Sequence, residues 1–147
     1  MSATRIVLFR PTLSDGGADR VTLTLLERLP RERYQPTLVL VRREGALADR
    51  VPADVRVIDL GRRRLALAVG PLARVLRAED PDAVLCTAGG ANVVATLAHR
   101  LARSRARLVL SERNAVRRPG LEWRSRFEVP LKRAIYPLAD AVTAVSE

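Results

Sequence analysis

Three short segments of this chain carry the residue types that could do chemistry. The first is Ser14-Asp15-Gly16-Gly17-Ala18-Asp19-Arg20-Val21, where paired glycines precede an apolar helix pattern. Backbone N–H groups left bare by glycine at a helix start can face an anionic or polyhydroxyl ligand. No third glycine stands at the dinucleotide spacing and no Gly-Lys-(Ser/Thr) follows, so the dinucleotide and P-loop fingerprints are both missing. The alternative is a plain tight turn feeding a helix. The second segment is Thr87-Ala88-Gly89-Gly90-Ala91-Asn92, another small-residue entry to a helix. Thr87 and Asn92 offer short polar groups that could hold the hydroxyls of a polyhydroxyl ligand, or Asn92 simply caps the helix. The third is Ser111-Glu112-Arg113-Asn114, four polar residues at the end of an apolar run. There Arg113 could pair with a phosphate oxygen, or Glu112 could pair with Arg113 or another local arginine.

Other chemistries are harder to build. Cys86 is the only cysteine and His99 the only histidine, so no internal disulfide and no cysteine-based zinc cluster can form. His99 reads as a surface or packing residue and Cys86 as an inert strand residue. No Ser/His/Asp set and no glycosidase carboxylate pair can be assembled from spacing, and no metal site is expected.

The segments need a scaffold, and the pattern supplies one. Short apolar runs predict strands near 4–10, 36–41, 55–59, 83–86, 107–111 and 140–145. Helical periodicity predicts helices near 17–29, 65–79, 91–103 and within 121–138, with a turn of helix near 45–50. In the first helix, Ser14 or Asp15 is the expected cap, and Val21, Leu25, Leu26 and Leu29 the expected buried side. Strict alternation implies an α/β fold: a Rossmann-like, mostly parallel six-stranded sheet with helices on both faces. All three segments then follow strands at one sheet edge, where open α/β sheets bind ligands.

A length of 147 residues with 48% hydrophobic content suits one domain. No apolar run approaches the roughly 20 residues of a membrane span, and no signal pattern opens the chain. The expected location is the cytoplasm. The formal net charge is +10, carried by 25 arginines and the single lysine, Lys132. Residues 99–133 hold 11 basic and 3 acidic side chains, leaving only +2 for everything else. Within that window Trp123, Phe127, Leu131 and Ile135 recur every four residues, with Arg126 and Arg133 projecting elsewhere. The stripe either packs into the core or docks on an anionic membrane surface. Pro130 either kinks its helix or begins it.

The run Arg5 to Phe9 followed by Gly16-Gly17-Ala18-Asp19-Arg20-Val21 resembles the N-terminal domain of family 4 glycosyltransferases, which have the GT-B fold. Val39–Gly45, Pro81–Leu85, Ala91–Ala95, Leu108–Asn114 and Ala139–Glu147 resemble that domain's later blocks in order. The resemblance implies retaining transfer of a sugar from a nucleotide-sugar donor to a glycan or lipid-linked acceptor. The donor is then a substrate, and no cofactor is implied. It also implies that this domain shapes the acceptor side, with Gly16 and Gly17 bordering the donor phosphates and the acceptor. A C-terminal domain, missing from a chain that stops at Glu147, would supply most donor contacts. Related sequences often read Thr-Glu-His-Asn where this chain has Ser111-Glu112-Arg113-Asn114, so Arg113 stands in place of an imidazole and can offer only electrostatic help. The expected cleft set is Gly16, Gly17, Thr87, Asn92, Glu112, Arg113 and Asn114. Two rivals remain: a noncatalytic basic module for an anionic membrane or nucleic acid, and another GT-B nucleotide-sugar enzyme such as an epimerase. Nucleic acid is the unlikelier partner, since 3% aromatic content and the lack of RNP, helix-turn-helix or zinc signatures speak against it.

Overall fold

The computed structural model describes residues 2–112 and 122–144, apart from the side chains of residues 122–125 and 128. Ten main elements follow one another: β1 (Thr4–Arg10), α1 (Gly17–Arg28), β2 (Tyr34–Leu40), β3 (Arg56–Asp59), α2 (Val69–Glu79), β4 (Ala83–Cys86), α3 (Gly89–Ala102), β5 (Arg107–Glu112), α4 (Glu122–Ile135) and β6 (Ala141–Ala144). Short 3-10 turns occupy Ala48–Arg50, Leu65–Ala68 and Tyr136–Leu138. All pairings are parallel, in the order β3-β2-β1-β4-β5-β6. The expected fold class is therefore observed, with every strand pair parallel. Strand order reverses between β1 and β4, and that switch point opens a crevice at their carboxyl ends.

Period-two alternation sorts the strand side chains into two cores. Val7, Phe9, Val39, Val84, Cys86, Leu108 and Leu110 pack with Leu72, Leu76, Val94 and Ala98 of α2 and α3, and Ile135 of α4 joins them. Leu8, Leu38 and Leu40 pack on the other face against Leu23 and Leu26 of α1. Strands covered on both sides must be apolar on both sides, which is why β1 and β2 read as unbroken apolar runs.

Three local expectations change. Gly16, not Ser14 or Asp15, is the N-cap of α1, with no side-chain capping bond. Asp15 instead pairs with Arg20 at 2.7 Å. The buried stripe of α1 keeps Leu26 as expected but is completed by Asp19, Thr22 and Leu23, with Val21, Leu25 and Leu29 only half-buried, a rotation that goes with a polar partner inside the fold (below). The helix α4 continues through Pro130 rather than starting there. Its apolar stripe divides, since Ile135 is buried while Phe127 is 77% exposed; Trp123's side chain lies outside the described residues.

The loop after β1 is fastened to the loop after β2. Leu13 is fully buried, its N–H donates to Glu44 O (2.9 Å), and its carbonyl accepts from Leu47 N (3.0 Å). This approach depends on Gly45, whose φ is +110° and where a Cβ would lie 2.1 Å from Leu13 O. Gly17 is different, because a Cβ there meets nothing within 4 Å and its φ is not positive. We expect Gly45→Ala to cost roughly 2 kcal/mol or more in urea unfolding, while Gly17→Ala stays within about 0.5 kcal/mol of the parent.

Candidate functional site

The crevice floor is a buried ion pair. Arg10 ends β1 and Asp19 sits in the first turn of α1, at 7% and 6% exposure. Arg10 donates from Nε (3.0 Å) and Nη2 to Asp19 Oδ1, and from Nη1 to Thr87 O (2.9 Å) and Thr87 Oγ1 (3.0 Å). Thr22 Oγ1 lies 3.5 Å from Thr87 Oγ1. One guanidinium thus ties β1, α1 and the loop after β4 together beneath the glycines. Asp19 Oδ2 would lie 3.4 Å from a Cβ on Gly16, so a bulky side chain there would crowd the pair.

A second node sits at the end of β5. Glu112 Oε2 accepts from Lys132 Nζ at 2.9 Å and from the Tyr136 hydroxyl, with the lysine and glutamate side chains 13% and 9% exposed. Among the described residues the carboxylate's partners are therefore the chain's one lysine and Tyr136, while Arg113 lies outside them. Gly89, the first residue of α3, makes room for this pair, because a Cβ would lie 3.2 Å from Lys132 Nζ and 3.3 Å from Glu112 Oε1. Burial, then the bond to Glu112, which only the protonated phenol can donate, push the Tyr136 pKa up to about 12; Asn92 pulls weakly the other way. Cys86 is also pushed up to about 12, by burial, and is inert as a nucleophile.

The expected site residues separate by depth. Gly16 and Gly17 are exposed at the crevice mouth, while Thr87 and Glu112 are buried beneath it and spoken for by Arg10, Lys132 and Tyr136. Asn92 is not the cap of α3, because the N-cap is Ala88. It lies inside the helix at 0% exposure, and its Nδ2 donates to Ser111 O at 3.2 Å. Asn92 Oδ1 has no hydrogen-bond partner among the described residues. Arg113 and Asn114 lie outside the described residues. Sequence reasoning missed Arg10, Asp19, Lys132 and Tyr136. The available signals were an arginine closing an otherwise apolar strand and an acid in the first turn of the next helix.

Beside the second node, a cavity of about 330 Å³ is lined by Leu65, Ala66, Gly89, Gly90, Val93, Val94, Leu131 and Lys132. Another of about 260 Å³ lies at the opposite, amino-terminal sheet edge, among Arg5, Thr37, Asp54, Arg56 and Glu79. The described basic residues of the window 99–133 do not form one patch. Arg103, Arg105 and Arg107 lie where α3 ends and β5 begins, at the amino edge, whereas Lys132 faces the carboxyl-edge node. His99 is half-buried, with Nε2 2.7 Å from Ala106 O.

The fold and the crevice define a Rossmann-like domain of the GT-B class. Residues 15–147 match the model of glycosyltransferase family 4, and the chain belongs to that family. No curated protein matches it. Among solved structures it is similar to MurG of Acinetobacter baumannii, at 17% identity and a TM-score of 0.65, covering 98% of this chain and 42% of that one. An O-GlcNAc transferase variant of Thermobaculum terrenum gives 16% and 0.58, over 80% of this chain and 25% of that one. The UDP-Glc/GlcNAc 4-epimerase of Campylobacter jejuni gives 9% and 0.56, over 97% and 53%. Such likenesses carry the fold alone, and an epimerase shares it; the family model is what separates the two classes. The chain spans less than half the length of the two transferases.

Removing one partner of a buried ion pair strands the other charge, so Arg10→Met or Asp19→Leu alone should cost about 3–5 kcal/mol. In a double-mutant cycle the Arg10→Met/Asp19→Leu protein should lose clearly less than the sum. The raised Tyr136 pKa adds stability that is present below its ordinary value of 10.0 and is lost as pH rises toward about 12. Unfolding midpoints between pH 9 and 12, expected as approximate bounds of that window, should therefore fall less steeply for Tyr136→Phe than for the parent.

Proposed function

We propose that this domain is the acceptor side of a retaining glycosyltransferase that moves a sugar from a nucleotide-sugar donor to a glycan or lipid-linked acceptor. The observation that carries the reading is Gly17. Neither its backbone angle nor its surroundings require glycine, yet it opens α1 at the mouth of the β1/β4 crevice in a family 4 chain. A bare backbone there lets a ligand approach α1's first N–H groups.

In this proposal Gly16 and Gly17 contact ligand directly. Thr87, Asn92 and Glu112 shape the floor from below, Asn114 is a further ligand contact, and Arg113 gives electrostatic help. Catalysis needs a second, donor-binding domain, because one Rossmann-like unit leaves the reacting groups open to water. Peripheral docking on an anionic membrane surface, on the cytoplasmic side, is a further part of the proposal. It is supported by Phe127 and Leu131, 77% and 45% exposed, beside Arg126 and Arg133. Among the described residues no helix is long and apolar enough to cross a membrane.

Amide NMR on the chain titrated with oligosaccharide and nucleotide-sugar panels tests the site. Shifts should concentrate at Gly16, Gly17, Gly89 and Gly90, and Gly17→Trp should weaken them about tenfold without loss of stability. Responses centred on Arg5, Asp54 and Arg56 at the amino edge would overturn the site. The chain alone should give no sugar transfer or donor hydrolysis above background, and robust turnover would refute the need for a donor domain.

A further inference from the structure

We infer that the cavity beside the α3 N-terminus takes the hydrocarbon chain of a phosphate-bearing lipid, whose phosphate is drawn by Arg62, Arg63 and Arg64 at the rim. The inference rests on the transferase reading above and narrows its acceptor to the lipid-linked kind.

The cavity interior favours hydrocarbon. Apart from Lys132, its lining is Leu65, Ala66, Val93, Val94, Leu131 and two glycines. The Lys132 ammonium is held at 2.9 Å by Glu112, and both side chains are largely buried. A sugar placed here would lose water from its hydroxyls and find few partners, which costs more than burying alkyl groups. The volume of about 330 Å³ lies at the lower end of ligand pockets, of order 300–1,000 Å³, and suits part of a chain. Its apolar wall also runs on to solvent. Leu131 is 45% exposed, and Phe127, one turn earlier on α4 and on the same face, is 77% exposed.

The rim favours an anion. Arg62, Arg63 and Arg64 are exposed, directly precede the cavity's Leu65, and make no ion pair among the described residues. Their segment is fixed at its start, where Gly61 takes φ +60°, Gly61 N donates to Asp59 Oδ1 (2.8 Å) and Arg62 N donates to Val41 O (3.0 Å). At its far end the 3-10 turn Leu65–Ala68 begins. That backbone carries three adjacent exposed arginines directly before Leu65, the first residue that lines the apolar hole, and guanidinium matches phosphate geometry. An ordinary arginine-rich surface would lack the hole, and an ordinary core gap would lack the charge.

Isothermal titration of the chain with farnesyl phosphate below its micelle concentration, farnesol and inorganic phosphate tests this. Farnesyl phosphate should bind about tenfold or more tightly than either fragment. The R62Q/R63Q/R64Q protein should lose that advantage over farnesol, while Ala66→Trp, at an exposed lining position, should weaken both lipids. Thermal melts that match the parent would show each variant folded. Equal affinity for farnesol and farnesyl phosphate, equal affinity for phosphate alone, or binding only to anionic vesicles would each overturn the assignment. So would unchanged binding in both variants. The transferase reading fails separately. Glycan or nucleotide-sugar shifts at Gly16 and Gly17 with no farnesyl phosphate binding sink the lipid site alone, whereas selective lipid-phosphate binding with no such response at Gly16 and Gly17 supports it and sinks the transferase reading.

Discussion

The buried Arg10–Asp19 pair is the constraint on which the candidate site depends. Taking two charges out of water is costly, and the cost is offset only where geometry and further hydrogen bonds are good. Arg10 meets that condition by placing three of its nitrogens on Asp19 Oδ1 and on the carbonyl and hydroxyl of Thr87. Because those partners come from β1, α1 and the loop after β4, the pair fixes the relative position of the two strands that bound the crevice. It also turns α1, whose buried stripe begins at Asp19 rather than at the nearest run of leucines and valines. The glycines above it can then be bare without being loose, since Leu13 and the backbone bonds to Glu44 and Leu47 hold the rest of that loop.

The sheet edges divide the labour between charge and chemistry. At the amino edge Arg5, Arg56, Glu79 and Asp80 form exposed ion pairs of the kind that contribute little. The carboxyl edge has exposed pairs too, Asp15–Arg20 and Arg42–Glu44, but it adds the buried, mutually satisfied pairs Arg10–Asp19 and Glu112–Lys132, and it carries Arg62 to Arg64, which make no ion pair among the described residues. Such a division is what a binding edge needs: a rigid floor and free charge at the rim. The same edge shows three uses of glycine. Gly45 serves a positive φ and a close backbone, Gly89 makes room for an ion pair, and Gly17 leaves open space.

Much of the fold was legible in the sequence. Short apolar runs alternating with helical periodicity determined the six strands, the parallel sheet and the edge on which Gly16, Gly17, Thr87 and Glu112 fall, because strand and helix periods are local properties of the chain. The order of Gly-Gly-Ala-Asp-Arg-Val and the later blocks was enough to indicate family 4. What only the tertiary structure decided is which polar groups meet. Arg10 and Asp19 are nine residues apart but on different elements, and Glu112 finds Lys132 and Tyr136 across 20 and 24 positions. A count of apolar residues could not foresee that Asp19 belongs inside, because the burial of a charge is set by its partner, not by its own hydropathy. For the same reason the described basic residues of the stretch 99–133, one feature in the sequence, fall at different edges in space: a parallel sheet sends each helix back to the opposite edge, so charges near in the chain part company on folding.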